Sequence, residues 1–210
     1  MPPTALRLDA LMNDVETRPE ASGAHSYSFR PSLLGAPHEF ILTPDAFEWR
    51  LANRTGTIPY RSIRRVRLSF RPINMQTYRF LTEIWSDDAP RLQFASTSWR
   101  SVVEQVRQDD AYTAFVTALH ERLAAAESTA RFESGRPALV YWPGLLVFVG
   151  LSLAVAYVFV RSLEDGSLTT FALIGAVFVL LLWQIGNIFR RNRPGTYRPT
   201  AIPRHVLPGG

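Results

Sequence analysis

The chain has no cysteine and no lysine. The first absence excludes disulfides, thiolate metal ligands and a cysteine nucleophile, and it leaves the redox compartment unread. The second means that all 23 basic residues of the 210-residue chain are arginines. Biased base composition is the chief reading of that choice; the fit of guanidinium to phosphate is a weaker, functional one. Histidine is scarce: His25, His38, His120 and His205 are the four present, and no two are close enough in sequence to form a local metal pair. The sequence also lacks a glycine-rich phosphate loop, a nucleophile elbow and a zinc-protease helix motif. Asp87-Asp88 reads as a turn and Asp109-Asp110 as a helix start. These absences set the expectation that the chain is not an enzyme and uses neither metal nor cofactor.

Charge is unevenly placed. The formal net charge is +5, yet residues 1–137 hold 17 Arg against 16 Asp and Glu, whereas residues 190–210 hold five Arg and no acid. The excess lies in the tail. A nearly neutral front part speaks against nucleic-acid binding.

Two stretches lack charge altogether. Residues 138–160 (ALVYWPGLLVFVGLSLAVAYVFV) and 168–189 (LTTFALIGAVFVLLLWQIGNIF) run 23 and 22 residues. As helices each reaches about 33 Å, enough for a hydrocarbon core of roughly 30 Å. The link 161–167 permits only a tight turn, so the two spans form an antiparallel hairpin. Arg131 and Arg136 precede the first span, Arg190, Arg191, Arg193 and Arg198 follow the second, and Arg161 alone lies in the link. That asymmetry puts both termini in the cytoplasm. Arg136, Arg190, Arg191 and Arg193 read as flanking anchors, with Tyr141, Trp142 and Trp183 as an interfacial aromatic belt at one level. Gly150/Ala154 and Ala172/Ala176 are small-xxx-small pairs, suited to the hairpin seam or to a homo-oligomer contact. Neither span holds an ionisable side chain, which speaks against transport by the hairpin alone. Residues 1–23 carry acids early and no long apolar core, so they read as a mobile leader and not as a signal peptide. The tail, 190–210, with four Pro and three Gly, reads as a disordered positive-inside anchor.

Between leader and spans, residues 24–126 read as strands followed by one helix, and 127–137 as a polar connector. Phe40–Thr43, Ala46–Leu51, Thr57–Tyr60, Gln76–Ser86 and Arg91–Ala95 have strand character. A hairpin turn is expected at 53–56, with Gly56 free to take positive φ. Tyr112, Phe115, Val116, Leu119 and Leu123 then recur at helical spacing, the core face of an amphipathic helix. The basic run IPYRSIRRVRLSFRP (58–72) falls among the strands. In it Val66, Leu68 and Phe70 alternate with Arg65, Arg67, Ser69 and Arg71, so the first set faces the core and the arginines face out. Arg61, Arg64, Arg65, Arg67 and Arg71 are thus a candidate surface for acidic lipid headgroups or a partner, or simply the wet face of a strand.

Phe40-Ile-Leu-Thr43, an aromatic-bearing strand, Thr57-Ile-Pro-Tyr-Arg-Ser-Ile-Arg-Arg-Val66 and the helix around Tyr112–Leu119 together resemble the pleckstrin-homology-like domains of bacterial membrane proteins. In many of those proteins the membrane helices come before the domain; here they follow it. The resemblance implies an α+β fold, a small antiparallel β-barrel or sandwich closed by one C-terminal helix, followed here by the transmembrane hairpin. It also implies a bacterial inner-membrane protein acting as a binding or assembly module. The partners expected are the lipid bilayer and an unidentified protein. A structural subunit of a homo-oligomeric assembly or pore is the alternative.

Overall fold

The computed structural model describes residues 25–72, 78–101, 104–164 and 168–209; the expected leader lies outside them. Four strands, β1 (His25–Phe29), β2 (His38–Leu42), β3 (Ala46–Leu51) and β4 (Arg54–Pro59), form an antiparallel sheet in chain order. A short 3-10 turn, Tyr60–Ser62, leads into β5 (Ile63–Pro72), which pairs antiparallel with β6 (Tyr78–Ser86), and β6 with β7 (Leu92–Ala95). β8 (Thr97–Trp99) and β9 (Gln105–Arg107) make a separate hairpin, and helix α1 (Asp109–Ala125) follows. The chain is therefore α+β, with antiparallel and mixed sheets.

Phe40, Phe47, Ile58, Leu68, Phe80, Ile84 and Phe94 are the inward residues of their strands and are almost fully buried. Tyr112, Phe115, Val116, Leu119 and Leu123 of α1 are buried against the same core, as the helical spacing implies. Each such side chain contributes about 1.5–3 kcal/mol on leaving water. Two buried hydroxyls are satisfied within the core: Tyr27 donates to the Ala95 carbonyl at 2.6 Å, and Tyr112 shares a 2.7 Å hydrogen bond with Thr82.

Val66, Leu68 and Phe70 all point inward, and so does Ile63. A spacing of three between Ile63 and Val66 breaks strict alternation. The register of β5 on β6 accordingly slips between Ile63 and Arg65, a bulge that turns both residues to the core. The hairpin between β3 and β4 differs from expectation. It turns at Ala52-Asn53, with Ala52 at φ 51°, while Gly56 lies inside β4 opposite Trp49. A Cβ on Gly56 would sit 2.6 Å from the Trp49 indole, so the glycine serves ring packing rather than the turn.

Two further corrections concern segments expected to be irregular. Within the connector, Arg131–Ser134 forms β10, which pairs parallel with β5 and buries Phe132 and Ser134. The tail is folded as well. Gly195–Thr196 forms β11, antiparallel to β10, so the second sheet runs β11-β10-β5-β6-β7. Beyond it Val206 is fully buried, and Tyr197, Ile202 and Leu207 pack against the core. Prolines at this edge cost no ladder hydrogen bond. Only the apolar residues at irregular intervals mark the tail as a docking segment.

Between β10 and β11 run two helices long and apolar enough to cross a membrane, α2 (Ala138–Glu164) and α3 (Leu168–Arg191). Phe189 packs on Tyr141, Gly144 and Phe148, and Gly175 on Phe159, so the helices lie antiparallel. Tyr141, Leu145, Phe148, Ser152, Ala156 and Phe159 of α2 and Gly175, Phe178, Leu182, Ile185 and Phe189 of α3 are buried or half-buried, at spacings of three and four. That is the seam of a left-handed pair. Gly150, Ala154, Ala172 and Ala176 are exposed and off it, contrary to one of the two roles expected of them. Hydrophobic periodicity could not have shown this, because nearly every position is apolar. Trp142 and Trp183 are not level either: Trp183 lies six residues before Phe189, about 9 Å further toward the link.

The ends of the pair cross at Gly135. Its N–H donates to the Leu68 carbonyl at 2.8 Å, and the next N–H, of Arg136, donates to the Asn192 carbonyl at 3.0 Å. Gly135 has φ +77°, and a Cβ there would lie 2.4 Å from the carbonyl oxygens of Asn192 and Arg193. Those oxygens belong to backbone held by α3 and β11 and cannot yield. Gly135→Ala is therefore expected to cost at least about 2 kcal/mol, from left-handed strain plus displacement of the tail. A fall in melting temperature of the detergent-solubilised protein, together with faster amide exchange over residues 193–207, is the expected observation.

A buried histidine locks the tail. His120 is 1% exposed on α1; its Nδ1 donates to the Val116 carbonyl at 2.7 Å and its Nε2 accepts from the Tyr197 hydroxyl at 2.9 Å. Burial pushes the imidazole down to about 4, against the hydrogen bond to Val116, which pulls the other way. The folded form thus takes up its proton at lower pH than the unfolded one. The contribution is intact above the ordinary value of about 6.5 and is lost as pH falls from there through about 4. Amide protection of residues 195–207, corrected for intrinsic exchange, is expected to fall across that window.

Candidate functional site

Because strand side chains alternate, the odd-numbered residues of β5 beyond the bulge, from Arg65 on, share the outer face of the second sheet with those of β6. Their register sets Arg65 opposite Trp85, Arg67 opposite Glu83, Ser69 opposite Leu81 and Arg71 opposite Arg79. Parallel β10 puts Glu133 beside Arg67 from the other side. An arginine run with no acid of its own in sequence thus meets its acids across strands.

The five arginines expected to form one surface take four different roles. Arg61 is exposed and its Nε donates to the Ala126 carbonyl at 3.2 Å, capping the end of α1. Exposed Arg64 bonds Asp87, Nε to Oδ2, at 2.6 Å; that hydrogen bond holds the carboxyl of Asp87 below its ordinary value. Arg65 and Arg67 lie over the Trp85 ring, 4.9 and 5.2 Å from its centroid, and Arg91 covers it as well at 5.0 Å. Arg67 also holds Glu133, Nε to Oε2, at 3.0 Å, and its side chain is only 12% exposed. Arg71 is half-buried at the far end of the strand, its Nη2 3.7 Å from Glu83 Oε1. The single continuous face is therefore broken up, because the Ala126 carbonyl, Asp87, Trp85 together with Glu133, and Glu83 each take different members.

Arg79 and Arg91, not singled out from the sequence, line one cleft with Arg71 and Glu83. The Glu83 side chain is 1% exposed and is ion-paired with Arg91. Burial lowers all three guanidinium values from the ordinary one. The next cause is Arg67 for Arg71, and Arg71 for both Arg79 and Arg91. Nε of Arg71 and of Arg79, Oγ of Ser69 and Oε1 of Glu83 are buried without a hydrogen-bond partner. A pocket of about 240 Å³ opens over this cluster, with Arg30, Gln93 and Trp99 completing its wall. Period-two spacing of Arg79, Leu81, Glu83 and Trp85 was the available signal; pairing of that strand with the arginine run was needed to use it.

The cluster sits toward the apolar helices. Arg191, last residue of α3, lies 5.2 Å over the Phe70 ring, and Arg71 lowers the guanidinium value of half-buried Arg136, whose largest cause is burial. Of the expected flanking residues, Arg136 and Arg191 are thus part of the junction with the sheet. Arg190 bonds Asn187 Oδ1 at 3.3 Å, and Arg193 is exposed. Among the described residues no group of three or more His, Asp and Glu could hold a metal ion. Comparison of the chain with protein-family models, curated proteins and solved structures found no match.

The depth of Arg67 and the exposure of Arg64 set up a contrast. Arg67→Met leaves Glu133 half-buried and uncompensated and is expected to cost about 1–3 kcal/mol. Arg64→Met, which breaks a solvent-screened pair, is expected to leave the melting temperature where it was. Thermal unfolding of the two variants beside the parent makes the comparison.

Proposed function

We propose that the chain is a two-span protein of the bacterial inner membrane, with both termini and a pleckstrin-homology-like domain on the cytoplasmic side. Its work is binding, not catalysis: it holds the domain against the bilayer as a fixed platform that recruits a protein partner or stabilises a membrane complex. The observation that carries this reading is the weaving of both ends of the apolar helix pair into one sheet, through β10 before and β11 after. A loosely tethered domain would need neither strand. Leu146, Leu153, Leu173, Val179 and others stand exposed along the pair, a surface suited to lipid. Arginine at both cytoplasmic ends satisfies the charge rule for orientation.

The chemistry of the outer face fits the same role. Guanidinium groups keep their charge throughout the physiological range, so they grip anions well and move protons poorly. An anionic cytoplasmic leaflet would attract each of them by about 1 kcal/mol within a Debye length.

The absence of native cysteine makes the orientation directly measurable. Single cysteines at Ser167 in the link and at exposed Thr55 in the domain are to be probed in intact cells with an impermeant maleimide. The link is expected to react from outside, and the domain only after lysis. Labelling of Thr55→Cys in intact cells, or a link that reacts only after lysis, contradicts the reading.

A further inference from the structure

We propose that the pocket on the outer face of the second sheet binds a phosphate group, gripped by Arg71, Arg79 and Arg91 with Arg30 on its rim. Arg71 and Arg79 stand directly opposite each other in the antiparallel register. Like charges in that relation destabilise a sheet unless something lies between them. Glu83 is the one carboxylate in the lining, and it is shared between Arg91 and Arg71. Three guanidiniums against one acid leave an excess of two positive charges in a partly desolvated cleft.

The unmet hydrogen-bonding capacity points the same way. Buried N–H groups in folded proteins are almost always satisfied, yet Nε of Arg71 and Nε of Arg79 are both buried and unpartnered, as is the nearby Ser69 hydroxyl; Oε1 of Glu83 also lacks a hydrogen bond, but its charge is already met by the ion pairs with Arg91 and Arg71. Water could accept from these donors but would leave the charge uncompensated. A tetrahedral oxyanion supplies acceptors and charge together, and the planar guanidinium fork matches it with two parallel bonds. At about 240 Å³ the pocket holds about eight water volumes of ~30 Å³, room for a phosphate and the first atoms attached to it. The Trp99 and Phe29 side of the lining offers those atoms an apolar wall.

Two sources could present this group. β10 runs beside β5 and leads through Gly135, bonded to Leu68, straight to Arg136 at the start of α2, which is close enough to Arg71 to feel its charge, while Arg191 at the end of α3 meets Phe70 on the other face of the same strand end. Both arginines border the apolar helices, so an anionic phospholipid headgroup is near at hand; a soluble phosphate compound is the other source. The site stands on the geometry of the sheet. Only the choice of lipid rests on the membrane placement proposed above.

The test uses the full-length protein in a neutral detergent. In one arm inorganic phosphate is titrated against chloride at matched ionic strength, with thermal unfolding as the readout. In the other, native mass spectrometry compares retention of phosphatidylglycerol with that of phosphatidylcholine. Binding of phosphate identifies a soluble source, and selective retention of phosphatidylglycerol without phosphate binding identifies the headgroup. In either case Arg91→Gln is expected to weaken binding about tenfold, and Glu83→Gln to tighten it about tenfold. The opposite signs separate a lost site from a poorly folded variant. Binding of neither probe, or parental affinity in both variants, overturns the proposal. The phosphate arm requires no membrane, so its outcome is independent of the labelling result for orientation.

Discussion

Everything above and below the sheet edge depends on one backbone crossing. At Gly135 the chain passes so close under the carbonyls of Asn192 and Arg193 that a single methyl group would not fit. The crossing is held by two hydrogen bonds, from Gly135 to Leu68 and from Arg136 to Asn192. It ties strand β5, the start of α2 and the end of α3 to one another within two residues. Parallel pairing of β10, addition of β11 and the Tyr197–His120 lock all follow from that placement. They convert a domain with two attached helices into a unit whose sheet continues into its apolar pair.

The same edge organises the charges. Once β10 lies beside β5, Glu133 neutralises Arg67, and Trp85 shelters Arg65, Arg67 and Arg91. Compensation is good in the middle of the face and poor at its end toward the helices, where Arg71 and Arg79 oppose each other. Charge left over at that end is where an anion adds most. The sheet thus separates a structural use of arginine from a binding use along a single strand.

Much of the fold was legible in the sequence. Alternation in 63–71 gave the inward set Val66, Leu68 and Phe70, and helical spacing gave the buried stripe of α1. Two charge-free runs marked the helices that are long and apolar enough to span a bilayer. What the sequence hid was long-range. Arg131–Ser134 is too short and too polar to announce a parallel strand whose partner lies 66 positions earlier. Five arginines, four prolines and no periodicity made 190–210 resemble a disordered anchor, although Val206 is a core residue and Tyr197, Ile202 and Leu207 pack against the core. For the candidate site, Arg71 was in view, but Arg79 and Arg91 became relevant only when the β5–β6–β7 register was known. Gly150 and Ala154 were favoured by a local pattern, whereas the seam is set by facing positions on the other helix.

The most direct measurement of this account is a disulfide across the β10–β11 pair in native membranes. Glu133 and Thr196 are register partners, and the chain offers no competing thiol. With cysteine at both positions, mild oxidation is expected to protect both thiols rapidly within one chain, while a control pairing Glu133→Cys with Ser98→Cys stays reactive. Two thiols that remain free, or that join only between chains, would show that the tail does not close the sheet and would contradict the clamped arrangement.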